Sequence, residues 1–242
     1  MIIVAALLCS VAAHSQVEPR LYIIDSGVNL VNTTAGPNYA SGPHADCNGH
    51  GTTVGQIARD YGAGPIISVR VFDCSGGGYD ASITAALQWV IADHNPANGP
   101  AAVLMAMGGP GEVPAWIALI DEAAQDGLAV IVPSGHGPDW TFFQKLARSE
   151  TAIVVGGVIG TAPLWYGNFG PQIDIYASAT AYGWQGTSMS AAVVAGKVIG
   201  LLRQMPWAPP AHLRTVLVDS ATPTLSPVPP GTTDRIVLAP NR

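Results

Sequence analysis

The chain has 242 residues and a formal net charge of −6, from 10 Lys and Arg against 16 Asp and Glu. Its 48% hydrophobic and only 11% charged composition excludes intrinsic disorder, which requires low hydrophobicity and high charge. The acidic balance and the lack of any run of Lys or Arg argue against nucleic acid as a partner, because phosphate neutralisation needs clustered positive charge.

The chain opens with an apolar run over residues 1–13, which is too short to cross a bilayer, since about 20 residues are needed. Small residues follow it, and the pattern predicts a secretory signal peptide over residues 1–15. Because no Lys or Arg precedes the run, a buried first strand is the alternative. No later apolar stretch is long enough to span a membrane. We therefore expect a secreted, extracellular product.

Short β-branched runs alternate along the chain with longer amphipathic or apolar segments. The pattern predicts strands over residues 21–24, 66–72, 101–105, 128–132 and 152–155. Helices are predicted over residues 51–61, 81–94, 114–126, 187–203 and 210–220. This alternation predicts an α/β fold: a three-layer, doubly wound, mainly parallel sheet with helices on both faces. Without an internal repeat or linker, residues 16–242 are expected to form one domain.

Three cysteines occur, at Cys9, Cys47 and Cys74. If Cys9 leaves with the signal peptide, an even pair remains, as an oxidising compartment favours. Two unpaired buried thiols are the alternative.

Three polar residues stand where an α/β sheet tends to collect function, near strand and helix ends. Asp25 follows the first strand, His50 lies between two glycines before a helix, and Ser188 lies where an apolar helix begins. Taken singly, Asp25 reads as a turn residue and Ser188 as a first-turn serine, with Thr187 able to cap the helix. In that first turn, free backbone N–H groups and the helix dipole would suit a nucleophile whose attack creates an oxyanion.

Two other chemistries fit these residues less well. His44, Asp46 and Cys47 lie close to His50, but their spacing matches no zinc motif. The α/β-hydrolase order needs an acid and then a histidine after the serine. Only His212 follows Ser188, with no Asp or Glu between them, so that order is absent. The order found is Asp, His, Ser.

The segments 22–28, 48–52 and 186–189, in this order, resemble the subtilisin family of serine proteases, a family that exemplifies the Asp, His, Ser order. The segment 69–76 resembles the branch that contains proteinase K and aqualysin-like enzymes. The resemblance implies a serine endopeptidase in which Ser188 attacks the peptide carbonyl, His50 transfers the proton and Asp25 orients His50. We expect a monomer that acts on peptide or protein substrates.

The same resemblance implies further site residues. It pairs Cys47 with Cys74 in a disulfide. An edge that pairs with extended substrate is expected at Gly76, Gly77 and Gly78. One wall of the specificity pocket would be Ala106, Met107, Gly108 and Gly109, and the other Pro133, Ser134 and Gly135. These walls are small or apolar, so a medium apolar or aromatic substrate side chain is expected before the scissile bond rather than a charged one.

Some positions depart from the family pattern. His136 stands where the family has an asparagine that stabilises the oxyanion together with the Ser188 backbone N–H. Val158 and Ile159 stand where an acidic calcium ligand is expected, so we expect no cofactor, although calcium binding is left open. A second hypothesis therefore stays open: a catalytically weak or inactive subtilisin-like pseudo-protease that binds peptides or proteins.

Overall fold

A computed structural model describes residues 17–137, 139, 141 and 144–237, so the predicted signal peptide lies outside the described residues. Within these residues, the main sheet contains ten strands. These are β1 Arg20–Asp25, β2 Thr33–Asn38, β3 Ile66–Arg70, β4 Ala101–Leu104, β5 Ala129–Pro133, β6 Ile153–Ile159, β7 Ala162–Pro163, β8 Ile175–Ser178, β11 Thr222–Pro223 and β12 Arg235–Ile236. Strands β9 Thr180–Ala181 and β10 Trp184–Gln185 form a separate two-stranded sheet.

The helices are α1 His50–Asp60, α2 Asp80–Asp93, α3 Pro114–Gln125, α4 Thr187–Gln204 and α5 Pro210–Asp219, with a short 3-10 turn at Pro96–Asn98. Every strand and helix predicted above is present. Most boundaries agree within one or two residues; the exception is β6, which runs four residues further than the predicted strand. The predicted α/β fold class is confirmed.

Strand order explains where a site can form. The order across the main sheet is β11-β12-β8-β6-β5-β4-β1-β3-β2, with β7 beside β6. The pairs from β2 through to β12 are parallel, and only β7 and β11 run antiparallel to their neighbours. The chain builds outward from β1 to β3 and β2 on one side, then continues with β4 on the other. This reversal creates a crevice at the carboxyl ends of β1 and β4, the usual place for a ligand in such sheets.

The strands bury side chains on both faces, as parallel sheets do. In β1, Leu21 and Ile23 contact the apolar layer of α1, α4 and α5, whereas Tyr22 and Ile24 contact the layer of α2 and α3. Helix α4 is buried along most of its length and packs against β4, β5, β6 and β8. Its first turn is therefore held firmly at the crevice.

Cys47 and Cys74 form a disulfide with a Cα–Cα distance of 4.9 Å, and the predicted pairing is thus present. It joins the loop before α1 to the loop after β3. Among the described residues, no helix combines the length and the apolar character that a membrane span requires.

Candidate active site

The buried pair of Asp25 and His50 lies at the carboxyl end of β1. Asp25 ends this strand and is fully buried. Its Oδ1 accepts a hydrogen bond from the Ser26 N–H at 2.7 Å, and its two oxygens lie 2.9 and 3.0 Å from His50 Nδ1. Because a carboxylate only accepts, the proton of the neutral imidazole resides on Nδ1. Nε2 keeps its lone pair and can act as a base.

The environment of His50 favours its protonated form. Burial by itself would lower the pKa of His50, but the charge of Asp25 and its hydrogen bond outweigh burial, so the pKa is raised above the ordinary value near 6.5. The neighbouring charge of Asp46 acts in the same direction. This is the electrostatic arrangement of a histidine that takes up a proton during a reaction.

Gly51 allows α1 to begin directly against the loop after β1. A Cβ at this position would lie 2.0 Å from the backbone oxygen of Gly27 and 3.1 Å from Asp25 Oδ1. Since no side chain fits there, glycine after His50 brings the first helical turn onto the strand end. The imidazole is thereby placed over Asp25.

Asp46 organises this half of the site, a role that the sequence analysis missed. Its carboxylate accepts hydrogen bonds from the Ser26 hydroxyl, the Asn48 and Gly49 N–H groups, and both the N–H and hydroxyl of Thr52. Burial would raise the pKa of Asp46, but these hydrogen bonds outweigh it and the pKa is lowered. Asp46 therefore ties the loop after β1 to the loop that carries His50. Its position two residues before an Asn-Gly turn was the available signal.

A hairpin formed by β9 and β10 brings Trp184 beside His50. The two rings meet edge to face with their centroids 5.6 Å apart. Trp184 is 40% exposed, so it shields one side of the imidazole while facing solvent. The sequence analysis did not select this residue.

Ser188 lies in the first turn of α4. Its hydroxyl donates a hydrogen bond to the Ala106 carbonyl at 2.9 Å, and among the described residues its backbone N–H has no partner, as is expected at a helix start. Within the same part of the chain, no hydrogen bond joins Ser188 to His50. Catalytic hydrogen bonds are often long without substrate and tighten only when it binds.

The His136 ring, and not a capping side chain, accepts a hydrogen bond from the first turn of α4. α4 begins at Thr187, and Gly186 precedes it with no side-chain cap, so the predicted capping by Thr187 is wrong. Instead, the Thr187 N–H donates to His136 Nε2 at 3.0 Å. Burial first, and then the charge of His50, lower the pKa of His136. The ring is therefore neutral at neutral pH. Because Nε2 accepts from the Thr187 N–H, the one proton is on Nδ1, and Nε2 cannot donate to an oxyanion in this arrangement.

A cavity of about 170 Å³ lies beside Ser188. Ser188 lines it together with five residues of the two predicted walls: Met107, Gly108, Gly109, Pro133 and Gly135. Four further lining residues were not predicted as wall residues: Pro110, His136, Gln144 and Thr187. Ala106 and Ser134 stand next to these walls without lining the cavity.

An isolated β-bridge joins each wall to a segment more distant in the chain. Pro110 pairs with Gln144, and His136 pairs with Gly167. At Gly135 the backbone has φ +91°, and a Cβ there would lie 2.6 Å from the Gln144 side chain. Only glycine fits this turn, because both its backbone conformation and the close contact exclude a side chain.

The three predicted edge glycines lie in an exposed loop after β3. The Gly77 N–H donates to Asp73 Oδ1, and the Gly77 carbonyl accepts from the Asp73 N–H. Gly77 is thus occupied by its own turn. The Gly76 carbonyl and the Gly78 backbone have no hydrogen bond among the described residues and are the groups left for an extended ligand.

The segment where a calcium ligand is expected does not fit that ion. Val158 is buried and Ile159 is exposed, and neither offers a side-chain oxygen. The carboxylate beside β6 belongs to Asp174, which accepts a hydrogen bond from the Val154 N–H and forms an ion pair with Arg214.

The chain is similar in sequence and in fold to known proteins. Residues 12–237 match a family model described as the Subtilase family. The chain is 30% identical to alkaline serine exoprotease A of Vibrio alginolyticus over 83% of its length and 41% of that protein. It is 31% identical to the extracellular serine proteinase of Thermus sp. (strain Rt41A) over 84% of its length and 55% of that protein. The chain thus spans about half the length of these relatives.

A solved structure shows the same fold. A crystal structure described as a cold adapted subtilisin-like serine proteinase superposes with a TM-score of 0.81 at 25% identity, covering 90% of this chain and 87% of the other. The resemblance drawn from three short sequence segments is confirmed by these matches.

Proposed function

Because this chain belongs to the subtilase family, we propose that it is a secreted serine endopeptidase that uses Asp25, His50 and Ser188. The observation that supports this most directly is the buried hydrogen-bonded pair of Asp25 and His50 Nδ1, at the crevice where α4 presents Ser188. Peptides or proteins are the proposed substrates, a monomer the proposed state, and the chemistry itself requires no cofactor.

The proposed reaction begins when the Ser188 hydroxyl leaves its hydrogen bond to Ala106 and turns to His50. His50 Nε2 accepts the hydroxyl proton while Oγ attacks the substrate carbonyl, and Asp25 stabilises the imidazolium that forms. The tetrahedral intermediate collapses to an acyl-enzyme as His50 returns the proton to the leaving amine. Water then hydrolyses the ester by the same steps in reverse order.

The oxyanion needs hydrogen-bond donors at the start of α4. The free Ser188 N–H, at the positive end of the α4 dipole, provides one donor. The family resemblance implies His136 as the second donor, but its Nε2 accepts a hydrogen bond from the Thr187 N–H. This observation favours the second candidate function, a weakly active or inactive protein that binds peptides without efficient cleavage.

Labelling with an organophosphate serine probe separates a protein with an activated serine from an inactive binding protein. An activated hydroxyl should react, so we expect labelling of the folded protein that Ser188→Ala abolishes. Ser190→Ala is the matched control, because Ser190 lies in the same helix with its hydroxyl bonded to the Ser178 carbonyl, and this variant should still be labelled. A folded parent protein that takes up no label would refute the endopeptidase and leave the binding protein.

A further inference from the structure

Gln144, which lines the cavity beside Ser188, holds its carboxamide in a defined orientation. The side chain is only 8% exposed, and its Oε1 accepts a hydrogen bond from the Gly109 N–H at 3.1 Å. Because a backbone N–H can only donate, this bond decides which end of the carboxamide is oxygen. The other end, Nε2, carries two N–H donors, and among the described residues it has no hydrogen-bond partner.

Gln144 lies against both walls of the cavity. Its Oε1 accepts from Gly109 in one wall, a Cβ on Gly108 would lie 3.5 Å from Oε1, and one on Gly135 in the other wall would lie 2.6 Å from the carboxamide carbon. Gln144 lines the cavity, and because Oε1 is held at Gly109, Nε2 is the end of the carboxamide left to meet a ligand there.

The cavity selects for a neutral acceptor. Among the described residues that line it, none is Lys, Arg, Asp or Glu. A charged side chain would be buried there without a counter-charge, which is costly. A purely apolar side chain would leave the Gln144 donors buried and unpaired, which also costs free energy. A side chain with an uncharged acceptor oxygen avoids both penalties.

We propose that Gln144 Nε2 is a specificity-determining contact, donating a hydrogen bond to an acceptor oxygen on the substrate side chain just before the scissile bond. A carboxamide side chain such as glutamine is then preferred over an apolar one of similar length. The inference rests on the proposed function, since it takes Ser188 as the nucleophile beside the cavity. It refines the sequence-based expectation of an apolar or aromatic residue, which was drawn from the walls alone.

Three peptides test this, identical except that methionine, methionine sulfoxide or glutamine precedes the scissile bond. The sulfoxide adds one acceptor oxygen to methionine and no donor. In the parent protein we expect kcat/KM for the sulfoxide and glutamine peptides to exceed that for the methionine peptide about tenfold. Equal values for the three peptides, with methionine cleaved, would overturn the inference and leave the proposed function intact.

Gln144→Glu is the matched variant. It keeps an oxygen to accept from the Gly109 N–H but replaces the two donors by an acceptor, so we expect the sulfoxide peptide to become a poorer substrate than the methionine peptide. If no peptide is cleaved, the dissociation constants of the three peptides for Ser188→Ala decide. About tenfold tighter binding of the sulfoxide supports the inference, whereas equal binding or none overturns it.

Discussion

On the Asp25 and His50 side of the crevice, the buried carboxylate of Asp46 accepts five hydrogen bonds from its surroundings. On the Ser188 side, the Ser134 hydroxyl and the Asn168 amide oxygen are buried, and within the described residues neither has a hydrogen-bond partner. Gln144 Nε2 also has no hydrogen-bond partner among the described residues, but it is not fully buried. Buried polar groups are nearly always paired by protein or by ordered water.

The two sides of the crevice therefore differ in how their polar groups are paired. The base half, meaning Asp25, His50 and Asp46 with their loops, has its hydrogen bonds supplied by the protein itself, including those that hold His50 in place. The acyl half, meaning Ser188 and the cavity beside it, leaves polar groups unpaired among the described residues: Ser134 and Asn168 lie behind the cavity lining, and Gln144 belongs to it. His136, which departs from the family pattern, also lies in this second half.

The largest expected effect comes from breaking the base half at Asp46. Asp46→Asn keeps the shape of the side chain but replaces one carboxylate oxygen by an NH₂ group. Some of the N–H and hydroxyl groups that donate to Asp46 thereby lose their acceptor. We expect a loss of about 3 kcal/mol in the free energy of unfolding at neutral pH and a fall in kcat as His50 loses its fixed position. Urea unfolding measures the first and turnover of a peptide the second.

The pH dependence distinguishes this explanation from general damage. The lowered pKa of Asp46 stabilises the fold above the ordinary Asp value near 4, and that contribution is lost as the pH falls through the lowered pKa. The difference in stability between parent and Asp46→Asn should thus shrink at acid pH. Asp219→Asn, at the exposed end of α5, is the control and should leave the unfolding midpoint close to that of the parent. A constant difference across pH would argue against the hydrogen-bond explanation.

A smaller effect, a rise in kcat instead of a fall, is expected when His136 in the acyl half is replaced by the asparagine of the family pattern. Asparagine is shorter and always carries two donors, so His136→Asn should raise kcat on a peptide about 10- to 100-fold, part of what one oxyanion donor contributes. His136→Ala should lower kcat if the imidazole contributes through Nδ1. Initial rates over a range of substrate concentrations give kcat and kcat/KM for each variant. If both variants have the kcat and kcat/KM of the parent, His136 does not contact the oxyanion.

The sequence predicted the residues that lie in short local motifs, and it missed those that only tertiary contacts bring to the site. Asp25, His50 and Ser188 sit at strand and helix ends in short distinctive segments, so local pattern was enough to select them. The strands 21–24 and 101–105 were equally plain because buried parallel strands are continuous apolar runs. β2 was missed, since its Gly36 and Pro37 contradict strand propensity, and pairing with β3 decides its conformation.

The residues that the sequence could not identify act through contacts distant in the chain. Gln144 reaches the cavity only because its backbone pairs with Pro110, 34 residues earlier. Trp184 meets His50 because a short hairpin folds back over the site. His136 meets Thr187 across 51 positions. No local spacing encodes these contacts, so they follow from the tertiary arrangement alone.

The smallest expected effect is a displaced acid limb in the pH profile. A general base must be unprotonated, so kcat/KM should fall as the pH drops through the pKa of His50 in the free protein. Because Asp25 raises that pKa, the midpoint of the fall should lie above the value of an ordinary histidine, near 6.5. The pKa of His136 is lowered, so His136 stays neutral over this range and does not shape the limb. The profile of His136→Asn should therefore have the same acid midpoint as the parent, measured with an uncharged peptide. A parent midpoint below 6.5 would contradict the raised pKa of His50, and a midpoint that moves in the variant would assign the limb to His136.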